Sequence, residues 1–466
     1  MRLARRLIVV AVVLAALAVV SAIYRPDRAL RTGTGVVAHD LCSETFVSQL
    51  DPALVFAESL KPRPGFRWIA WGMRYTVDHG RRQVSASLLG SLASRAVFRD
   101  GLGCVLVHGN EPLATASSAT LASMRHAEAL LPAIAGPVIV PPTEPRLKAA
   151  LEAAFAEPDR PPHRNTKAVV IVHEGKLIAE RYAEGYGINT PILGFSMTKS
   201  VTNALVGILV QKRRLVTDAP APLPAWQGAN DPRGAITIEQ LLRMSSGLAL
   251  DETGSGFDPS NQMFYDEPDM AGYAQAARLV AAPGTRWAYS SASTQLLSRV
   301  VRDRVGGTAD AVQRFAFTEL FDPLGMRSVT LEMDATGTPV GAHYMLASAR
   351  DWARFGSLFL NDGVVGGRRI LPEGWVNFST EPTLGTAYGA GWWTNRGNDP
   401  AALHRIAVGI PANAYFAFGN LGQRIAVIPS ERLVIVRMAR AHLPHGDMAG
   451  FERLIVETIA SLHPNR

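Results

Sequence analysis

The sequence has little cysteine, little lysine and little charge. Of 466 residues, only Cys42 and Cys104 are cysteine, six are lysine, and charged side chains make up 19% against 47% hydrophobic ones. A chain with so much apolar surface and so little charge has to bury a core, which excludes a disordered, solvating protein. Two cysteines exclude a disulfide-dense scaffold or a cysteine-rich zinc module. The formal net charge of +7 is carried almost wholly by scattered arginine, and beyond the first residues the longest basic run is Lys212-Arg213-Arg214. Nucleic-acid surfaces cluster their charge more than this, so no nucleic-acid partner is expected. Cys-x-x-Cys, His-Glu-x-x-His, a phosphate loop, a dinucleotide fingerprint and a serine with glycines two places to either side are all missing. Their absence argues against metalloprotease, nucleotide-binding and α/β-hydrolase chemistry, and nothing calls for a metal or other cofactor.

What is present begins at the N-terminus. Arg2, Arg5 and Arg6 precede an uncharged stretch over residues 7–24, closed by Arg25-Pro26. This is the layout of an export signal, and the stretch is at the lower limit for crossing a bilayer. Residues 1–24 are therefore expected to be a signal peptide or a membrane anchor. The protein is expected to be exported, periplasmic or otherwise extracytoplasmic, with membrane contact only through such an anchor. An oxidising compartment would let Cys42 and Cys104 pair, the other reading being two unpaired buried thiols. Closing so long a loop would stabilise that region by about 4 kcal/mol in the chain-entropy picture.

Residues 27–136 read as a small mixed lobe, with a strand-like aromatic stretch over 66–75 and an Ala/Ser/Leu-rich helical segment over 85–98. Seven prolines between 137 and 162, around one short helical stretch over 146–157, mark a connector. From 163 to 462 the pattern changes. Strand-like runs over 168–173 and 176–182 meet at Glu174-Gly175, a hairpin signal. A second hairpin is expected over 424–438, followed by apolar residues at helical spacing from Met448 to Ile459. Strand pairs at both ends of a mostly helical region predict an α+β fold: one antiparallel sheet flanked by helices, with an inserted, mostly helical subdomain.

The chemistry centres on Gly194-Phe195-Ser196-Met197-Thr198-Lys199-Ser200. Lys199 is the only lysine three residues after a serine, and in a helix positions i and i+3 share a face. The apolar run that follows predicts a buried helix, and burial lowers an ammonium pKa. Lys199 would then act as a base toward the Ser196 hydroxyl, with helix N–H groups directed at a developing oxyanion. Capping by the serine and snorkelling by the lysine would be the structural explanation of the same pair. Tyr289, within Trp287-Ala288-Tyr289-Ser290-Ser291, is a candidate proton shuttle whose phenolate a nearby lysine would favour. Near the end, Phe418-Gly419-Asn420-Leu421-Gly422 would let a strand edge approach substrate and offer a second N–H.

Taken in order, these residues resemble the serine β-lactamase and penicillin-binding-protein superfamily, in particular its class C-like branch with 6-aminohexanoate-oligomer hydrolases and related esterases. The resemblance covers roughly residues 160–460 and extends to Thr237-Ile238-Glu239-Gln240-Leu241-Leu242, Phe321-Asp322-Pro323-Leu324-Gly325-Met326 and Tyr388-Gly389-Ala390-Gly391-Trp392-Trp393. It implies Ser196 as acylated nucleophile, Lys199 as its base and Tyr289 as general acid/base. The backbone N–H groups of Ser196 and Asn420 would form the oxyanion hole, with Gly419 and Ser291 at the substrate. Two departures stand out: Tyr289-Ser290-Ser291 replaces the usual Tyr-x-Asn, and no Lys-Thr-Gly or His-Thr-Gly precedes the last hairpin. The expected activity is cleavage of a small-molecule amide or ester through an acyl-enzyme. The other readings are a penicillin-interacting DD-peptidase or weak β-lactamase, and a non-catalytic binding module. Oligomeric state is not legible.

Overall fold

The computed structural model describes Arg6 and residues 26–110, 112–123, 128–253 and 257–463. Apart from Arg6, the expected leader over 1–24 lies outside the described residues. Among those described, no helix is long and apolar enough to cross a membrane.

Helix α1 (Pro26–Phe46) opens with Pro26 in its first turn and Asp27 beside the positive helix end. Its middle, Thr-Gly-Thr-Gly, is a poor helix former. Packing on two sides holds it: one face lies on a four-stranded meander, β1 (Met73–Asp78), β2 (Gln83–Leu88), β3 (Ser91–Arg99) and β4 (Gly103–Leu106), in the order β1-β2-β3-β4. The helix expected over 85–98 is instead the β2–β3 hairpin. Its alternating burial, with Val84, Ala86 and Leu88 inward, follows the period of a half-buried strand despite helix-favouring composition. The stretch over 66–75 divides into a short helix, Phe66–Ile69, and the start of β1.

The proline-rich connector contains α2 (Pro145–Phe155), capped by the Glu144 carboxylate on the Leu147 N–H at 2.8 Å. Beyond it come β5 (Thr166–His173) and β6 (Lys176–Tyr182). Glu174 and Gly175 both have positive φ, as the tight hairpin requires. The helical layer includes α3 (Thr198–Gln211), α4 (Pro259–Asp266), α5 (Ser291–Val305) and α6 (Ala349–Leu360), together with shorter helices. The chain then returns to the sheet as β7 (Trp393–Thr394), β8 (Tyr415–Phe418), β9 (Arg424–Ile428) and β10 (Leu433–Ala439), and ends in α7 (Met448–Leu462). The six strands run antiparallel in the order β7-β8-β9-β10-β5-β6, so β10 pairs with β5 from more than half a chain away.

Both faces of this sheet are covered. Val170, Val172, Val434 and Val436 face the core shared with α3 and α6, whereas Val169, Ile171, Ile435 and Ile428 face α2 and α7. That is why its central strands read as continuous apolar runs. Helix α2 packs on α7 and this outer face, so the connector supplies part of the sandwich. The core on the other face runs without a break into the N-terminal lobe, through Val37, Leu41, Val84 and Ala96.

Candidate active site

Ser196 sits where the chain turns from a short strand, Ile192–Leu193, into α3. Phe195 is held at φ 48°, a left-handed conformation costing an L residue on the order of 1 kcal/mol. Its ring packs edge-on against His343 at 5.0 Å, and its carbonyl accepts from Thr198 Oγ1 at 2.7 Å. Strain at this position turns the serine out of the strand line and to the front of the helix. Every side chain from Thr198 to Leu209 is buried.

Within that helix Lys199 Nζ donates to Ser196 Oγ at 2.9 Å, to Ser291 Oγ at 2.8 Å and to the Ala342 carbonyl at 3.0 Å. All three acceptors are neutral. Burial lowers the Lys199 pKa from its ordinary value to about 8, with the Glu252 carboxylate opposing. A sizeable neutral fraction is therefore available near physiological pH to take the Ser196 proton. Ser291, in the place where the related motif carries asparagine, is one of the three groups holding the amine.

Tyr289 lies one residue before the cap of α5, where Ser290 accepts from the Ser293 N–H at 3.2 Å. Its ring stacks on Trp393 and meets Tyr388 edge-on, at 5.9 and 5.8 Å. Lys199 Nζ stands 4.8 Å from the ring centroid, and the Ser196 hydroxyl touches the phenol. The expected phenolate is not favoured. Burial first, and the Glu252 charge second, push the phenol well above its usual range. The lysine faces the ring and is itself inclined to neutrality, so Tyr289 is held as the neutral phenol, a form that can donate a proton.

Glu252 escaped the sequence reading. Its Oε1 accepts from the Ser291 N–H at 2.5 Å and from Ser260 Oγ at 3.1 Å, while its own N–H donates to the Tyr289 carbonyl at 3.2 Å. It therefore fixes the turn carrying both Tyr289 and Ser291. The surrounding segment has no periodicity, and a lone carboxylate there carried no signal of these contacts.

On the opposite side, a Cβ on Gly419 would stand 2.2 Å from the Gly194 carbonyl, so only glycine lets the end of β8 abut the nucleophile turn. The Gly419 N–H is committed to the Gln423 carbonyl at 2.8 Å. Asn420, the next residue, is exposed at the cleft, and the Leu421 N–H donates to its Oδ1 at 2.9 Å. Asn420 thus faces the same cleft as Ser196, which stands at a helix start where backbone N–H groups lack intrahelical partners. Ser196, Tyr289, Ser291, Gly419 and Asn420 all line one cleft of about 1010 Å³, with Lys199 beneath its floor.

The other wall of the cleft comes from the N-terminal lobe: Leu30 and Gly33 of α1, with Arg63, Phe66 and Ile69. Cys42 on α1 and Cys104 on β4 form a disulfide with Cα atoms 6.1 Å apart, tying that helix to its sheet.

The β-lactamase family pattern matches residues 151–459. A 6-aminohexanoate-dimer hydrolase from Paenarthrobacter ureafaciens is 26% identical over 226 residues, 45% of this chain and 56% of that protein. The chain thus spans little more than half the length of that curated relative. A penicillin-binding-protein homologue from Caulobacter crescentus superposes with a TM-score of 0.53 at 21% identity, over 70% of this chain and 99% of its own. A class C β-lactamase from Rhodobacter sphaeroides gives 0.51 at 21%, over 68% and 99%. At these identities the structural likeness is one of fold. Because the family pattern takes in more than half of its residues, the chain belongs to the β-lactamase family of serine hydrolases.

Proposed function

We propose that the protein cleaves a small amide or ester, of the kind processed by 6-aminohexanoate-oligomer hydrolases and related esterases, through an acyl-enzyme on Ser196. The single observation carrying this is a buried lysine hydrogen-bonded to Ser196 Oγ with only neutral acceptors around it. Neutral Lys199 takes the hydroxyl proton as Oγ bonds to the substrate carbonyl carbon. The Ser196 and Asn420 N–H groups receive the oxyanion. Tyr289 gives its proton to the departing nitrogen or oxygen as that bond breaks, and Lys199 returns the serine proton to the phenolate. Water then releases the acyl group by the reverse relay. Phe418-Gly419-Asn420 offers no lysine or histidine for a penicillin carboxylate, which favours amides and esters over β-lactams. The apolar, arginine-flanked N-terminus supports an exported protein, with the enzyme acting outside the cytoplasm.

In the test, wild type and Ser196→Ala are incubated with short p-nitrophenyl esters, linear amides and a fluorescent penicillin, and acyl adducts are located by mass spectrometry. Ester or amide turnover with an adduct on Ser196, lost in the variant, is the expected result. Full activity in Ser196→Ala would refute it, and covalent labelling by the penicillin alone would favour the DD-peptidase or weak β-lactamase reading.

A further inference from the structure

Three large apolar side chains of the N-terminal lobe stand in water side by side. Trp68 is 69% exposed, Trp71 75% and Leu89 65%. They form one surface: Trp71 Nε1 donates to the Trp68 carbonyl at 2.9 Å, and the Leu89 N–H donates to the Gly72 carbonyl at 2.9 Å. The Arg67 guanidinium lies over the Trp68 ring, 4.8 Å from its centroid. From Ser59 to Tyr75 the chain carries Lys61, Arg63, Arg67 and Arg74 and no acidic residue, with Lys61, Arg67 and Arg74 exposed. Exposed tryptophan beside arginine is the composition of a membrane–water interface, where indole settles among the headgroups and cations meet anionic lipid.

The position of the patch points the same way. Phe66 and Ile69, from the same short segment, line the cleft together with Ala29, Leu30 and Gly33 from the first turns of α1. A Cβ on Gly33 would touch Ile69 Cδ1 at 3.1 Å, so the beginning of α1 and this segment are in contact. The uncharged residues 7–24 immediately precede α1 in the sequence. The first turns of α1 and the aromatic-basic surface thus meet at the same edge of the molecule, beside the mouth of the cleft.

We propose that Trp68, Trp71 and Leu89, with Arg67 and Arg74, dock the protein on the surface of an anionic phospholipid bilayer, holding the cleft mouth at the headgroup level. This holds whether or not Ser196 is acylated by the substrates proposed above. The chain has eight tryptophans, and only Trp68 and Trp71 are exposed, so bromolipid quenching of intrinsic fluorescence reads this surface selectively. Full-length protein is mixed with vesicles of brominated phosphatidylcholine and phosphatidylglycerol in equal parts, and with brominated phosphatidylcholine alone. The expected result is quenching on the anionic vesicles that disappears in Trp68→Ser/Trp71→Ser, while circular dichroism and the unfolding midpoint of that variant stay unchanged. Arg67→Ser/Arg74→Ser should weaken vesicle binding on the order of tenfold, an effect erased by high salt. Absence of wild-type quenching on anionic vesicles would overturn the proposal. So would equal quenching on neutral vesicles, or quenching that survives in the double tryptophan variant.

Discussion

At the nucleophile helix, Lys199 is buried among two hydroxyls and a carbonyl. At the seam between α1 and the central sheet, Arg440 is buried to the same degree but meets Glu44 and, at 3.5 Å, Glu58. Burial pulls both cations toward neutrality. For Lys199 it prevails, and the pKa falls to about 8. For Arg440 the carboxylates and the Tyr186 phenol outweigh it, and the guanidinium is held above its ordinary value. The same desolvation therefore leaves a readily neutralised amine in one region and a fixed ion pair in the other, and for these two cations the outcome follows whether a carboxylate touches the nitrogen. Arg63, which lines the cleft from the lobe, follows the Arg440 pattern: it donates to Asp40 at 2.9 Å, and Asp40 also accepts from Tyr344 at 2.8 Å.

Both cations should respond to substitution, in opposite ways. Lys199→Ala should reduce ester turnover by roughly a thousandfold to ten-thousandfold, about 4–5.5 kcal/mol of transition-state stabilisation, in steady-state kinetics on folded protein. Arg440→Met should leave activity chemistry intact but strand Glu44 without its partner. Denaturant titration should show a loss of about 3–5 kcal/mol. Next in size, Cys42→Ser/Cys104→Ser frees α1 from β4 and should cost about 2–4 kcal/mol by the same titration, with the lobe unfolding first in hydrogen exchange. The smallest effect sharpens the contrast most. Ser291→Asp sets a carboxylate against Lys199 and should raise the midpoint of the pH–rate profile by about one unit, about 1.4 kcal/mol.

The catalytic half was legible because its signals are local. The Ser196/Lys199 spacing, the Glu174-Gly175 turn and the final hairpin each depend on residues a few places apart, and the described strands fall where those patterns put them. The N-terminal lobe was read less well. Residues 85–98 have a helical composition and a strand's period, and the period decides once one face is buried on α1. Helix α1 contains Gly33 and Gly35 among threonines, so propensity hides a helix that only its neighbours stabilise. Glu252 and the cleft wall at Arg63 and Phe66 depend on contacts between distant segments, which no local spacing encodes. The two hydroxyls gathered on Lys199 come from residues 196 and 291, and only the first of these was visible as its neighbour beforehand.

Lys199 is proposed to work as a neutral base because it is buried with no carboxylate in contact with its amine. The most direct test is the single-turnover rate of Ser196 acylation by a p-nitrophenyl ester as a function of pH, in wild type and in Lys199→Arg. Because the amine must lose its proton to act, the wild-type rate should climb as pH rises through about 8 and level off above it, and the permanently charged arginine should abolish that limb together with most of the rate. A wild-type profile flat across this range, or a Lys199→Arg variant that acylates at the wild-type rate, would contradict it.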